Sequence, residues 1–366
     1  MTAKTISGRP LKVGMAGLTS LYWPIALAQS LAKAKGARLV AAATLRSPEK
    51  AVLEHLGMTP TAYAERFGLT LYRDAEAMVR WEKLDAVVLC VPHSEHADWV
   101  ERIARLGADI YITKTFATTL SDAARIVRAG RVHGVNIASG PSDRYQPAIL
   151  AAKAAISRGL IGKPFALRLA HHHGTIEGFH KNDWYRRKKE GGPELSLAWY
   201  VVDLAMHLTG SRVKQVFALY GNYTTASSPF MDCGKMVLSM ATGAMVSCDM
   251  YFCNRFPYPV WEMEIVGPRG AVVVHADPAS GGKTIAALHT AKGVQLLPLP
   301  SRPPDRETAW VEGFRRGGPA VVPAAEALEI TRISLAARDS ARSGKPVSTA
   351  QAHGPASARS QSRARA

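Results

Sequence analysis

The stretch LKVGMAGLTSLYWPIALAQSLA at residues 11–32 decides the fold. Residues 11–16 are a candidate strand, and Gly17 follows directly. Pro24 stands where a helix would begin, a position at which the missing N–H of proline costs nothing. A strand, a glycine turn and a helix in this order make up the first unit of a dinucleotide-binding fold, in which a pyrophosphate lies on the helix N-terminus.

The rest of the first 140 residues repeats this alternation of strand and helix. Further β-type runs lie at 39–43, 69–72, 86–91, 110–113 and 135–138, and helical runs lie at 24–34, 94–106 and 120–132. The second, fourth and sixth strands are almost wholly apolar, as strands covered on both faces are. The alternation predicts a parallel, doubly wound Rossmann sheet, and hence the α/β class.

The pattern changes after Gly162. A helix is expected at 144–159, and β-type runs then follow one another at 165–170, 213–223, 235–240, 244–252, 261–266 and 271–275. Such a succession predicts an α+β domain with a large, open, mostly antiparallel sheet. A late helix at 324–343 ends at Gly344. We therefore expect a Rossmann domain at 1–143, a substrate-binding and oligomerisation domain at 144–350, and a disordered basic tail at 351–366.

Composition restricts the functional classes. The chain of 366 residues has 46 Lys and Arg against 29 Asp and Glu, a net charge of +17. This excess is spread along the chain, whereas a nucleic-acid footprint gathers on one patch, so we expect no nucleic-acid partner. No run approaches the roughly 18 apolar residues of a membrane span, and the N-terminus lacks the apolar core of a signal peptide. We expect a cytoplasmic protein without a membrane partner.

The cysteines support the same compartment. Cys90, Cys233, Cys248 and Cys253 form no CxxC pair. This spacing indicates thiols in a reducing environment and implies neither a disulfide framework nor a zinc site.

The glycine turn departs from the dinucleotide fingerprint G-x-G-x-x-G. Only Gly17 is kept, and Thr19 and Tyr22 replace the second and third glycines. Thr19 either narrows the phosphate site or offers its hydroxyl to a phosphate. On this motif alone, an ordinary tight turn in a flavodoxin-like domain remains an equal alternative.

Five later stretches, taken in order, carry a family resemblance. They are DAVVLCVPHSEHADWV (85–100), GADIYITKTFATTLSDAARI (107–126), RYQPAILAAKAAISRGLIGKPFALRLA (144–170), GGPELSLAWYVVDLAMHLTG (191–210) and VGPRGAVVVH (266–275). Over about residues 11–347 the chain resembles the Gfo/Idh/MocA family of NAD(P)-dependent oxidoreductases. The resemblance implies a Rossmann domain followed by a domain with an open sheet that often makes oligomer contacts, and hence a homodimer or homotetramer.

The end of the second strand bears on the choice of cofactor. The NAD fingerprint places an Asp or Glu there, but this chain has Thr44, followed by Arg46 and Ser47. A guanidinium and a hydroxyl can bind a 2′-phosphate, so we predict NADP(H), with NAD(H) possible. The alternative is that Arg46 is only a solvent-exposed residue of a loop and binds no phosphate. The full set of expected cofactor contacts is Gly17, Thr19, Ser20, Leu21, Thr44, Arg46, Ser47, Val91, Pro92, His96 and Lys114.

The Glu-Lys-Pro segment of the family corresponds to Thr113-Lys114-Thr115, in which only the lysine is kept. Lys114 follows the fifth strand, at the sheet edge where ligands bind. There it can hydrogen-bond a reacting hydroxyl and stabilise a developing alkoxide. The alternative is a lysine that merely caps the strand end.

The Asp-x-x-x-His signature of the family aligns with Ser196 and Tyr200. By resemblance, Tyr200 is paired with the lysine, and a neighbouring ammonium would favour its phenolate form. Tyr200 would then take or give the substrate proton together with Lys114, and Ser196 is the third predicted catalytic residue. The alternative is that Tyr200 belongs to an aromatic core. Asp203 and His207 are also four residues apart and lie about one helical turn further along the chain. They form a reserve acid–base pair.

The segment 171–190 is expected to line the substrate cleft. By resemblance, Trp184 would stack on a sugar ring and Arg186 would bind hydroxyls or a carboxylate, and Arg144 and Tyr200 are further expected substrate contacts. The expected substrate is of the carbohydrate type, with an anionic sugar as one form of it. His171, His172, His173 and His180 raise a metal alternative. Consecutive residues of a strand point to opposite faces, so at most two of the three adjacent histidines could converge, and we predict no metal.

These assignments predict an oxidoreductase that moves a hydride between nicotinamide and an alcohol or carbonyl carbon of a sugar, polyol or sugar acid. Three family signatures are altered at once, however. A ligand-binding or regulatory protein of the same fold, without turnover, is the alternative.

Overall fold

The computed structural model describes residues 6, 8–174, 183–225, 228–254, 260–277 and 283–349. Within these residues the chain forms a six-stranded and a nine-stranded sheet with ten α-helices. None of the helices described is long and apolar enough to cross a membrane. The predicted tail at 351–366 lies outside the described residues.

The first sheet is parallel throughout. Its strands are β1 (Leu11–Ala16), β2 (Ala37–Ala43), β3 (Thr70–Tyr72), β4 (Ala86–Leu89), β5 (Asp109–Thr113) and β6 (Ile137–Gly140). They lie in the order β3-β2-β1-β4-β5-β6, the doubly wound order of a Rossmann fold. The predicted sheet is confirmed, and β4 and β6 are buried along their whole length, as predicted. β2, for which the same was predicted, is fully buried only over its last three residues.

Six helices connect these strands. They are α1 (Trp23–Lys33), α2 (Glu49–Leu56), α3 (Pro60–Phe67), α4 (Ala75–Glu82), α5 (His96–Ala104) and α6 (Leu120–His133). The side chains of Thr59, Asp74 and Thr119 accept hydrogen bonds from the first turns of α3, α4 and α6, respectively. These bonds satisfy N–H groups that a helix leaves unpaired at its start. Sequence patterns predicted α1, α5 and α6 but not the three short helices.

The second sheet is mixed but mostly antiparallel, as predicted. Its strands are β7 (Ala166–His172), β8 (Val213–Gly221), β9 (Cys233–Met240), β10 (Met245–Tyr251), β11 (Trp261–Gly267), β12 (Gly270–Asp277), β13 (Lys283–Thr290), β14 (Gly293–Leu296) and β15 (Val347–Ser348). They lie in the order β14-β13-β12-β11-β7-β10-β9-β8-β15. Only the pairing of β7 with β10 is parallel among these strands. β13, β14 and β15 were not predicted.

One face of this sheet is covered by helices. The remaining helices are α7 (Pro147–Ser157), α8 (Gly192–Thr209), α9 (Trp310–Arg315) and α10 (Ala324–Ser343). α7 packs on β12 and β13, α8 packs on β7 and β10, and α10 packs on β8. Residues of β9 alternate between buried and exposed, so its second face is open.

The turn after β1 requires glycine for two reasons. Gly17 has a φ of +96°, and a Cβ atom there would lie 2.2 Å from the carbonyl oxygen of Cys90. Any side chain would push β1 and β4 apart at their carboxyl ends. By contrast, Gly57 ends α2 with a φ of +72°, and a Cβ atom added there would meet no atom of the described residues within 4 Å.

We predict that Gly17→Ala destabilises the protein more than Gly57→Ala does. Gly57→Ala should lower the free energy of unfolding by about 1–2 kcal/mol, the cost of a left-handed non-glycine residue. Gly17→Ala should cost at least twice as much, because a backbone clash adds to that strain. Urea denaturation of both variants measures the difference, and equal losses would contradict the proposed clash.

Candidate active site

The carboxyl edge of the first sheet gathers the predicted cofactor residues. Residues 17–21 follow β1, residues 44–47 follow β2, residues 91–96 follow β4, and Lys114 follows β5. Because these strands are parallel and adjacent, the four segments lie along one edge. Ligands of doubly wound sheets bind in the crevice outside this edge.

The turn after β1 suits a pyrophosphate. No side chain caps the N-terminus of α1, and its first turn contains no acidic residue. The hydroxyl of Ser20 donates to the carbonyl oxygen of Val91 at 3.3 Å, which holds the turn against the segment after β4. The N–H of Trp23 already donates to the carbonyl oxygen of Ser20 at 3.3 Å and Pro24 has no N–H, so it is mainly the dipole of α1 that favours the phosphates of a dinucleotide at this position.

The residue in place of the third glycine does not fill the turn. The ring of Tyr22 packs on Trp23, with ring centroids 4.3 Å apart, and is 42% exposed. It lines the cleft described below. Tyr22 is therefore part of the cleft wall, a role that its place in the glycine frame did not suggest.

The turn after β2 carries a basic side chain and no carboxylate. Leu45 and Arg46 both have positive φ, and the N–H of Ser47 donates to the carbonyl oxygen of Thr44 at 3.1 Å. The N–H of Arg46 donates to the carbonyl oxygen of Arg73 at 3.0 Å, and both arginine side chains are exposed. Sequence reasoning missed Arg73, although its place directly after β3 was a usable signal.

His96 joins the segments after β4 and β5. It is fully buried, and its Nδ1 lies 3.1 Å from the carbonyl oxygen of Phe116. Burial lowers the pKa of His96 to about 4, so the ring is neutral at physiological pH. These contacts give His96 a structural role and do not favour the predicted contact with cofactor.

A cleft of about 480 Å³ opens beside this edge. Its polar and aromatic walls come from segments that follow strands of the first sheet, from β7 and the loops of the second sheet, from α8 and from the segment before α9. They include Tyr22, Asp143, Gln146, His171, His173, Tyr200, Asn254 and Arg306. A concave site with a few convergent polar groups is the usual form of a small-molecule site.

Asp143 organises the cleft. Its carboxylate accepts hydrogen bonds from the indole of Trp261 at 2.7 Å and from the guanidinium of Arg306 at 2.5 Å. Nε2 of His171 lies 3.9 Å from the same carboxylate. Arg306 also donates to Glu307 at 2.8 Å, so its charge is matched by two carboxylates.

Lys114 is buried and does not itself line the cleft, but it lies directly behind Tyr200, which does. Its ammonium lies over the ring of Tyr200, 4.8 Å from the centroid. Burial lowers the pKa of the Lys114 amine to about 7; the carboxylate of Asp143 opposes this shift, and the guanidinium of Arg306 adds to it. An amine with this pKa can both accept and donate a proton at neutral pH.

The prediction that the neighbouring ammonium favours the Tyr200 phenolate is wrong. Burial raises the pKa of Tyr200 well above its usual value of 10. The ammonium of Lys114 faces the ring, and the imidazole of His171 stacks on the same tyrosine at 4.9 Å. Burial therefore favours the neutral form of Tyr200, which can donate a hydrogen bond.

Ser196 lies one turn before Tyr200 on α8. It is buried, and its hydroxyl is 2.9 Å from the hydroxyl of Tyr185. It does not line the cleft. The geometry does not favour the predicted catalytic role of Ser196.

Arg144 and the reserve pair do not line the cleft. The guanidinium of Arg144 donates to Asp203 at 2.8 Å and to Glu326 at 2.5 Å, and Asp203 also accepts from Ser142 at 2.6 Å. Arg144, His207 and Glu326 line a separate cavity. These contacts favour a structural network over the predicted substrate contact of Arg144 and over acid–base chemistry by Asp203 and His207.

Trp184 and Arg186 also lie away from the cleft. The indole N–H of Trp184 donates to the carbonyl oxygen of Thr19 at 2.9 Å, so this side chain contacts the turn after β1. The side chain of Arg186 is exposed, and neither residue lines the cleft. The predicted stacking of Trp184 on a sugar in this cleft is not supported.

All three histidines at the end of β7 line the cleft, but their rings have different partners. The rings of His171 and His173 are 6.3 Å apart, whereas the ring of His172 packs against Tyr251 and lies 3.7 Å from Glu262. Among the described residues no group of three or more His, Cys, Asp or Glu could hold a metal ion. His180 lies outside the described residues.

Sequence reasoning missed two central residues of the cleft. Asp143 comes shortly after β6, so the rule that ligands bind beyond strand ends could have singled it out. Arg306 lies in SRPPDRETAW, residues 301–310, between β14 and α9. It belongs to no motif, and only the fold brings it to Asp143.

Comparison with known families supports both halves of the fold. Residues 11–141 match the model of an oxidoreductase family with an NAD-binding Rossmann fold. Residues 149–273 match the model of the GFO/IDH/MocA C-terminal domain.

Individual relatives are similar over most of their length. A dTDP-3,4-didehydro-2,6-dideoxy-alpha-D-glucose 3-reductase of Streptomyces violaceoruber is 26% identical over 85% of this chain and 87% of its own. A D-apiose dehydrogenase of Paraburkholderia graminis is 27% identical over 78% of this chain and 79% of its own. The fold matches an Agrobacterium radiobacter oxidoreductase solved with NAD+, L-tartaric acid and magnesium, with a TM-score of 0.78 at 21% identity, over 93% of this chain and 98% of that one.

Proposed function

The chain belongs to the GFO/IDH/MocA family of oxidoreductases, and on that premise we propose that it transfers a hydride between a nicotinamide cofactor and an alcohol or carbonyl carbon of a sugar, polyol or sugar acid. The observation that best supports this is the buried Lys114 amine, with a pKa of about 7, beside the cleft. The two relatives above are a sugar reductase and a sugar dehydrogenase by name.

Lys114 handles the proton in this proposal. A bound nicotinamide would supply the acceptor or donor for the hydride. In the oxidation direction, neutral Lys114 accepts the proton of the substrate hydroxyl; in the reduction direction, its ammonium returns that proton. Tyr200 remains protonated throughout and donates a hydrogen bond, while its ring shields the amine from water.

The charges of the cleft favour a neutral substrate. The guanidinium that lines the cleft belongs to Arg306, and it is already paired with Asp143 and Glu307. The basic residues 186–189, which suggested an anionic sugar, are exposed and do not line the cleft. A polyhydroxyl compound without a carboxylate therefore suits the cleft better than a sugar acid does.

A binding protein of the same fold without turnover is the competing function. This alternative is motivated by the altered glycine frame and by Ser196 and Tyr200, which replace the Asp and His of the family signature. It predicts that the protein binds a dinucleotide or sugar and that no sugar or polyol changes the 340 nm absorbance of the cofactor.

We predict that Lys114→Met lowers the rate of turnover by about 10²–10⁴-fold, the usual contribution of general acid–base catalysis. In wild type, kcat/KM for oxidation should rise with pH through about 7, since the neutral amine is the base. The melting temperature should not fall, because burying a lysine amine is unfavourable. Absorbance at 340 nm gives the rates, and exposed Lys163→Met is the control. Unchanged turnover in Lys114→Met would exclude the proposed role.

The proposed cofactor is NADP(H), with NAD(H) as the alternative. Arg46 and Arg73 are exposed beside each other at the ribose end of the crevice. The nearby carboxylate of Asp74 accepts from the first N–H groups of α4. Two guanidinium groups without a free carboxylate suit a 2′-phosphate.

We predict that Arg46→Ala weakens NADP binding about tenfold or more, the value of a charge-assisted hydrogen bond, and leaves NAD binding nearly unchanged. Titration calorimetry with both cofactors measures this. Arg38→Ala, an exposed arginine near the start of β2, is the matched control. Equal effects on NAD and NADP would argue against a 2′-phosphate contact.

The open face of the second sheet supports a homodimer or homotetramer. Leu219, Val237 and Met245 lie on this face and are exposed, next to the ion pair of Lys235 and Asp249. Apolar side chains on an uncovered sheet favour association with a second copy. The proposed compartment is the cytoplasm, where four free cysteines stay reduced.

We predict that Val237→Lys shifts the protein towards the monomer, because it places a charge in the proposed contact. Light scattering after size-exclusion chromatography measures the mass. Val132→Lys, at a valine on α6 that is 62% exposed against 51% for Val237, should leave the mass unchanged. A wild-type monomer would refute the proposed association.

A further inference from the structure

A short segment of the second half of the chain crosses the first sheet's crevice. This segment, residues 184–190, is called the strap below. At its start, the indole N–H of Trp184 donates to the carbonyl oxygen of Thr19 at 2.9 Å. At its end, the carboxylate of Glu190 accepts from the N–H of Ser94 at 2.9 Å and from the Ser94 hydroxyl at 2.8 Å.

The two anchor points stand on opposite sides of the switch point of the sheet. Thr19 follows β1, and Ser94 follows β4. β1 and β4 are neighbours, and the order of the strands reverses between them. A dinucleotide binds in the crevice at this position. The strap therefore spans the mouth of the expected cofactor site.

The ends of the strap are buried and its middle is exposed. Trp184 is nearly buried and meets the ring of His93 edge-on at 5.1 Å, and Glu190 is fully buried. Nδ1 of His93 lies 3.0 Å from the carbonyl oxygen of Glu190, which adds a third bond on the β4 side. A buried carboxylate is costly unless it is hydrogen-bonded, so the Glu190 anchor fixes this end of the strap.

The exposed middle of the strap is positively charged. Residues 186–189 are Arg, Arg, Lys and Lys, and all four are exposed. Their charge raises the local concentration of an anion such as the pyrophosphate of a dinucleotide. The strap is anchored at both ends and is cationic in its middle. These properties favour a position over the phosphates of the dinucleotide rather than a position in the sugar cleft.

We propose that the strap forms the outer wall of the dinucleotide site and that Trp184 and Glu190 are positioning residues that slow the release of the cofactor. Release then requires the anchors on Thr19 and Ser94 to open. The inference rests on the proposed function in one respect: the ligand is a nicotinamide dinucleotide.

The test is the rate at which NADPH leaves the full-length protein. Protein loaded with NADPH is mixed with excess NADP+, and NADPH fluorescence is followed by stopped flow, with NADH in a parallel series. Trp184→Phe removes the N–H donor and keeps an aromatic ring. We expect release about five- to tenfold faster, as for the loss of one hydrogen bond, with an unchanged KM for the sugar. Trp81→Phe, at a tryptophan that is 79% exposed, is the control.

Glu190→Gln tests the second anchor independently. It replaces one acceptor oxygen with a donor group and should also speed release, whereas exposed Glu264→Gln should not. Melting temperatures verify that both variants are folded. Release rates unchanged in both variants would overturn the strap proposal and leave the proposed function standing. A wild-type protein that binds neither NADPH nor NADH would overturn both.

Discussion

One buried carboxylate, that of Asp143, joins the parts of the chain that build the cleft. It follows the last strand of the first sheet, bonds the indole at the start of β11, and binds Arg306 from the segment before α9. A buried carboxylate is unstable without such partners. The same need for partners therefore determines the relative position of three segments that are far apart in sequence.

The chemistry of Lys114 depends on this arrangement. Burial alone disfavours the ammonium, and the neighbouring charges of Asp143 and Arg306 act on it in opposite directions. Asp143 and Arg306 together therefore leave the pKa of Lys114 lowered by burial. Their opposite charges also keep the net charge of the site close to zero. Tyr200, which is buried against the same amine and against His171, contributes shape and a hydrogen bond and carries no charge.

The sequence predicted those parts of the fold whose residues carry a local signal. β4 and β6 are buried on both faces and read as apolar runs, and α10 matches its predicted bounds. β14 has only four residues, Gly-Val-Gln-Leu, and is exposed along its whole length, so it was too short to stand out as a strand. Lys114 could be found because it follows the carboxyl end of a parallel strand, where the ligands of such sheets bind. The partners of Arg306 and of Trp184 could not, since contacts between distant segments depend on the packing of both sheets.

The parallel pairing of β7 with β10 has a consequence for how the second sheet assembles. β8, β9 and β10 are joined as successive hairpins, and β11 to β14 form a second such ribbon. β7 is made before either ribbon but pairs with one member of each. Its two edges therefore stay unpaired while the later strands are synthesised, and the central contacts of the sheet close over long stretches of chain. Such non-local closure is slow, so the centre of this sheet limits how fast the domain can fold.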